Sequence, residues 1–158
     1  MAVKMLQPGY AKNRDLRRRL QRELEVAKRV SHRGIIPILD AGTLADGSPY
    51  LVMPRMYGES LSRLLLRRGQ LSPPQAVAVG VRIASILHSV HDAGFVHRDI
   101  KPEHILLNRN AVGELTVSLL DFGVCATRNA SAEELQLEHG KVFGTPSYLS
   151  PEQASGNP

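Results

Sequence analysis

A handful of side chains in this sequence carry chemistry that is costly unless something uses it. Placed on a helix at 100° per residue, Glu23 falls about 20° from Leu16 and between Ala27 and Val30, inside an apolar stripe, whereas Glu25 falls on the opposite side. A carboxylate on a buried face is expensive without a cation. Lys4, on the strand just before this helix, is the candidate partner; a boundary glutamate that snorkels to water is the alternative. Two further acids, Asp99 and Asp121, stand 22 residues apart, one in a polar loop and the other directly after an apolar run. A carboxylate can accept a proton or offer hard oxygen ligands to a metal, and either acid alone reads as an ordinary turn residue. The six histidines invite a metal reading, with His88 and His91 three apart and His97, His104 and Cys125 further along. No cysteine pair or H-x-x-x-H spacing supports zinc.

The strings around these residues narrow the choice. Phe95-Val96-His97-Arg98-Asp99-Ile100-Lys101-Pro102 resembles the catalytic loop of eukaryotic-type Ser/Thr protein kinases, and Asp121-Phe122-Gly123 resembles their metal-binding motif. Ala2-Val3-Lys4 is similar to the strand bearing the family's phosphate-binding lysine. Gly144-Thr145-Pro146-Ser147-Tyr148 and Ser150-Pro151-Glu152 resemble the end of the activation segment. Any one string recurs by chance; in this order and spacing they are specific, and the resemblance covers Lys4 to about Gly156.

The resemblance implies ATP-dependent phosphoryl transfer to Ser/Thr hydroxyls of protein substrates, with ATP and Mg²⁺ (or Mn²⁺) as cofactors. Lys4 would hold the phosphates and Glu23 would hold Lys4. Asp121 would bind the metal, Asp99 would accept the substrate hydroxyl proton, and Lys101 would steady the γ-phosphate. Met53 would be the gatekeeper, Ala2 would cap the adenine face, and the Pro54 carbonyl and Met56 amide would meet adenine, since Pro54 has no N–H. Arg98 would pair with a phosphorylated activation loop, with Thr127, Ser131 and Thr145 as candidate acceptors. His97 would be a packing residue. The implied fold is α+β, a partial two-lobe kinase fold, with an N-lobe remainder at 1–53, a hinge at 54–58 and the first part of a C-lobe at 59–158.

Three departures from the family pattern carry expectations of their own. His104 stands where asparagine would supply an oxygen to a second Mg²⁺. Imidazole suits softer metals, so Mg²⁺-dependent activity is expected to be weakened, and a pseudokinase or interaction module is the alternative function. A small-molecule phosphotransferase is a third, opposed by Lys101-Pro102 and the 144–152 segment. No glycine-rich loop precedes Lys4, and the sequence ends soon after Glu152, whose arginine partner would lie beyond it. Both suggest a gene model cut from a longer coding region and a chain of marginal stability with an unpaired buried Glu152.

The elements that must position these residues follow from periodicity. A strand is predicted over Ala2–Leu6, an amphipathic helix over Asn13–Val30, and strands over Ile35–Ala41 and Tyr50–Met53 around the turn Ala45-Asp46-Gly47-Ser48. A short helix is expected at Ser60–Arg67. Ser72-Pro73-Pro74-Gln75 starts a helix that is apolar on most sides, hence buried, and that stops before Gly94. Strands are expected at His104–Leu107 and Thr116–Leu120, and a mobile loop from Cys125 onward. The 158 residues, 42% apolar and 22% charged, suit a soluble globular domain rather than a disordered chain. The net charge of +5 comes largely from Arg14–Arg22, read first as a solvated helix face and second as an anion-binding patch, so no nucleic-acid partner is implied. One cysteine allows no intrachain disulfide, and the longest apolar run, Ala76–Leu87, is too short and too charged to span a membrane. A cytoplasmic location is expected, with a membrane anchor left open for a longer protein.

Overall fold

The computed structural model describes residues 1–127, 140 and 143–156. Its first sheet has strand order β1–β3–β2, all antiparallel, built from β1 (Ala2–Met5), β2 (Asp40–Thr43) and β3 (Pro49–Met53). Helix α1 (Arg14–Arg29) packs against β3. Asn13 caps α1 by accepting from the Leu16 amide at 3.1 Å, which satisfies one of the helix's orphan donors. The predicted turn closes the β2–β3 hairpin: the Ser48 amide donates to Asp46 Oδ1 at 2.9 Å, and Leu44 N–H to Ser48 O at 2.9 Å.

The strand predicted over Ile35–Ala41 is displaced. Pro37 cannot donate to a ladder, and pairing begins only at Asp40 and continues through Gly42 and Thr43, residues of low strand propensity. Ile35 instead forms an isolated parallel bridge to Leu119, so this stretch docks onto a different sheet.

That second sheet has order β4–β6–β7, with β4 (Glu59–Ser60), β6 (Ile105–Arg109) and β7 (Leu115–Leu119). Around it lie α2 (Leu61–Arg68), capped by Ser60 accepting from Arg63 N–H, and α3 (Pro73–Asp92), where Gln75 Oε1 returns to the Ser72 amide at 3.1 Å. Gly94 at φ 83° ends α3 as a left-handed residue. A two-stranded pair joins β5 (Phe95–Val96) to β8 (Ala126–Thr127), and a short helix α4 (Pro151–Ala154) follows.

The core runs through Val26, Ile35, Ile86, Val90, Phe95, Leu119 and Phe122, so residues far apart in the chain share one interior. Each such side chain contributes about 1.5–3 kcal/mol by leaving water. Helix α3 is not buried on most sides, contrary to its apolar composition. Only Val79, Ile86 and Val90 are fully enclosed, while Val77 and Val81, four residues apart on another face, are 65% and 62% exposed. The cause is uneven packing: α3 meets mainly β5 and β7, and the face that carries Val77 and Val81 is left open among the described residues. Glu152 is exposed as well, so the expected buried acid does not arise; a hydrogen bond from the Ser150 side chain holds its carboxyl below the usual range. Among the described residues, no helix is long and apolar enough to cross a membrane.

Candidate functional site

The acids and lysines singled out above converge. One cleft of about 400 Å³ is lined by Lys4 from β1, Glu23, Leu16 and Arg19 from α1, Asp99 and Lys101 from the loop after β5, Asp121 after β7, and Gly144 and Thr145.

At its β1 wall, Lys4 Nζ lies 2.5 Å from Glu23 Oε2 and 3.6 Å from Asp121 Oδ1. Glu23 is the glutamate of the apolar stripe, its side chain 12% exposed, and the pairing with Lys4 resolves the two alternatives against a snorkelling carboxylate. Burial disfavours the ammonium, but the Glu23 and Asp121 carboxylates outweigh it and the Lys4 pKa rises. The gain is not shared equally. At Glu23, burial exceeds the attraction of Lys4 and leaves the carboxyl above its ordinary range. Asp121 is also desolvated, yet Lys4, the Gly123 amide at 3.2 Å and His104 together hold it below its ordinary value.

At the opposite wall, Lys101 Nζ lies 2.9 Å from Asp99 Oδ2 and 2.7 Å from Thr145 Oγ1, and the Thr145 hydroxyl donates to Asp99 Oδ1 at 2.9 Å. Both carboxylate oxygens of Asp99 are thus engaged by donors from different parts of the chain. Burial pushes the Asp99 pKa up, but the bonds from Lys101 and Thr145 prevail and bring it below the usual carboxylate range. His104 Nδ1 lies 3.0 Å from the Asp99 carbonyl, and its Nε2 faces Asp121 Oδ2 at 3.7 Å.

The backbone is bent where these groups are presented. Arg98 (φ 66°) and Asp121 (φ 60°) are the non-glycine residues with positive φ among those described. Each such conformation costs on the order of 1–3 kcal/mol and persists only where surroundings impose it. For Arg98 the neighbours are visible: its carbonyl accepts from Gln153 Nε2 at 2.7 Å, and its guanidinium lies 5.9 Å from the Phe143 ring centroid. Beneath the loop, His97 is 1% exposed, its ring meets Phe122 edge-on at 4.9 Å, and burial lowers its pKa to about 4. This is the packing role expected of it. Cys125 is likewise buried, its thiol pushed up to about 12, as befits a small hydrophobe.

Gln153 carries no chemical signal in the sequence, yet it ties the site together. Its Oε1 accepts from the Ser150 amide at 3.1 Å, completing the start of α4, while its Nε2 donates to the carbonyls of Arg98 and Phe143. The Ser-Pro-Glu-Gln pattern discloses the helix start, not the long-range bonds. Gly144 lets this approach happen: at φ 116° a Cβ there would sit 2.7 Å from Leu149 Cδ2 and 3.1 Å from the Arg98 carbonyl.

Ala2, Met53, Pro54, Met56 and Thr127 are not among the residues lining the cleft. Ala2 lies opposite Met53 in the β1–β3 register; Pro54 is half-buried and Met56 is 39% exposed. Thr127 pairs with Phe95 in β8, its Oγ1 buried and without a hydrogen-bond partner among the described residues. Thr145 is engaged with Asp99 and Lys101, and Ser131 lies outside the described residues.

A Protein kinase domain family model matches residues 1–158. Among curated proteins, the chain is 38% identical to one named a probable serine/threonine-protein kinase in Corynebacterium efficiens, covering 100% of this chain and 24% of that protein. It is 37% identical to a probable serine/threonine-protein kinase PknB of Corynebacterium glutamicum, with the same coverage. It is 36% identical to serine/threonine-protein kinase PknH of Mycobacterium tuberculosis, over 99% of this chain and 24% of that protein. The chain thus spans about a quarter of the length of these curated relatives.

Proposed function

Because this chain belongs to the protein kinase family, we propose that it takes part in transferring the γ-phosphoryl group of ATP to serine and threonine hydroxyls of proteins. The observation that carries this reading is the meeting of Lys4, Asp99, Lys101 and Asp121 in one cleft. Phosphoryl transfer asks mainly for positioning and for charges placed around the moving group.

In this reading Lys4, held by Glu23, receives the α- and β-phosphates. Asp99, kept ionised by its donors, takes the proton from the attacking hydroxyl, and Lys101 neutralises charge on the transferred group. The metal fits on the Asp121 carboxylate, which is about half exposed and held below its ordinary pKa, as a hard oxygen ligand should be. When bound there, Mg²⁺ would supply positive charge that offsets the charge of the phosphates. Residues 1–53 then act as the part of an N-lobe that includes the lysine, 54–58 as a hinge with Met53 as gatekeeper and the Pro54 carbonyl and Met56 amide toward adenine, Ala2 as the adenine cap, and 59–158 as part of the C-lobe. Arg98 is the proposed receiver of an activation-loop phosphate, with Thr127, Ser131 and Thr145 as the candidate acceptors. A reaction fed by ATP is assigned to the cytoplasm.

The test is transfer from radiolabelled ATP to a generic protein substrate, compared with Asp99→Asn, alongside nucleotide binding with and without Mg²⁺. Metal-dependent binding with transfer lost in the variant supports the proposal. Binding without transfer in either protein supports instead the second reading, a pseudokinase, which is favoured by His104 at the position expected for a metal-binding asparagine.

A further inference from the structure

A second concavity lies away from the cleft and shares no lining residue with it. It is a groove of about 590 Å³ between α2, the first turns of α3 and the β6–β7 strands. Val79 and Leu107 form its buried base, and Leu64, Leu71 and Leu115 stand half-buried along it. These five belong to the core or pack against it, so the floor is held by the interior beneath it. The rim is basic. Arg67, Arg68 and Arg109 stand over the apolar floor, with Glu59 the acid among them. Glu59 is already engaged, because Arg67 donates to it from Nη2 at 2.7 Å and from Nε at 3.3 Å. Arg109 donates from Nη1 to the Gly113 carbonyl at 2.6 Å, one of the five N–H groups a guanidinium offers. Arg68 is exposed and has no hydrogen-bond partner among the described residues. Two cations thus border an apolar groove with no carboxylate bonded to them.

We propose that this groove docks a short acidic segment of another protein, with leucine-type side chains entering the floor and carboxylates meeting Arg68 and Arg109. The proposal goes beyond the kinase reading and does not depend on it, since the groove and the cleft have no residue in common. Charge decides the class of occupant. A basic segment would meet like charge at the rim, which is costly across an interface. Carboxylates suit the planar fork of arginine, which can hold them by two parallel bonds. A single-stranded nucleic acid would bring negative charge too, but it needs aromatic side chains on which its bases stack, and the lining has none. The volume is that of a site enclosing a few side chains, not of a broad face between folded domains. The aliphatic stems of Arg68 and Arg109 add apolar surface above the floor while their charged ends stay in water. Apolar contact then supplies the hold, and the rim charges supply the choice of partner and the rate of encounter.

The experiment uses the whole chain and a fluorescein-labelled peptide of sequence Glu-Glu-Leu-Glu-Glu-Leu-Glu-Glu. Binding is read by fluorescence polarisation, and the methyl signals of Leu64 and Leu115 are followed by NMR. The expected result is saturable binding that shifts those methyls. It should weaken about tenfold in the Arg68→Glu, Arg109→Glu double variant and be lost when both leucines of the peptide become serine. The double variant should instead take a peptide with lysine in place of glutamate, a gain that also shows the variant to be folded. Binding retained by the serine peptide overturns the proposal, because charge alone would then explain it. So does an affinity unchanged in the double variant, or no saturation by about 1 mM peptide. Shifts of the Leu64 and Leu115 methyls with protein concentration alone would make a second copy of the chain the occupant. Shifts produced by phosphatidylserine vesicles and not by the peptide would make it a membrane surface, and either result overturns the proposal.

Discussion

Replacing Thr145 by valine keeps the shape of the side chain and deletes one hydroxyl that makes two bonds, to Asp99 Oδ1 at 2.9 Å and from Lys101 Nζ at 2.7 Å. Asp99 and Lys101 are 10% and 18% exposed at their side chains, so water replaces the lost partner poorly. A hydrogen bond to a charged group in such a place is worth about 1.5–3 kcal/mol, which corresponds to about a 10- to 150-fold loss in kcat/KM if the bond persists as the hydroxyl substrate reacts. Thr145 is also one of the groups holding the Asp99 pKa below its ordinary value. Its removal must therefore raise that pKa, so the acid limb of the pH–rate profile moves to higher pH. The assay pairs phosphate transfer across pH with carbon NMR titration of the Asp99 carboxyl, the second needing no activity. Thr145→Ser should restore both. An Asp99 titration unchanged in Thr145→Val would refute the reasoning, because it would mean the hydroxyl does not contact the carboxylate in solution.

Other outcomes test separate parts of the structure. Glu23→Gln removes the carboxylate that overcomes burial at Lys4, so the Lys4 pKa should fall, read by NMR of the labelled ammonium; an unmoved value would show the pair is not formed. His97 has a folded pKa of about 4 against 6.5 for an ordinary histidine. A lowered histidine pKa gives stability that is full above about pH 6.5 and lost as pH falls toward 4, about 3 kcal/mol in all. Denaturant titrations at several pH values should show that slope, flattened in His97→Phe even where the variant is weaker overall; an equal slope would exclude His97 as its source. Ile86→Ala empties a fully buried position and should cost about 2–5 kcal/mol, lowering Tm by roughly 5–20 °C; a change under about 1 kcal/mol would mean the core around α3 is not packed as described.

Much of this protein was decided locally and could be read along the chain. Helix α1 is set by apolar residues at three- and four-residue steps and by the Asn13 cap, α3 by Ser72, Pro73 and Gln75, and the β2–β3 turn by Asp46 and Gly47, because each rests on bonds between near neighbours. The identity of the cleft residues was legible too, since Asp99, Asp121, Lys4 and Glu23 sit in strings whose order is specific. What no local rule supplies is who meets whom. Ile35 leaves the strand expected of it because Pro37 denies it a ladder and Leu119, 84 residues away, offers a bridge. Helix α3 has a composition that says buried, yet burial depends on neighbours, and those described leave the face with Val77 and Val81 open. Thr145, one of three candidate phosphate acceptors along the chain, is a partner of Asp99 and Lys101 in space, and Gln153 joins the loop after β5 to the stretch at Phe143. These contacts are matters of distance in space, fixed when separate elements pack, and periodicity along one strand or helix does not encode them.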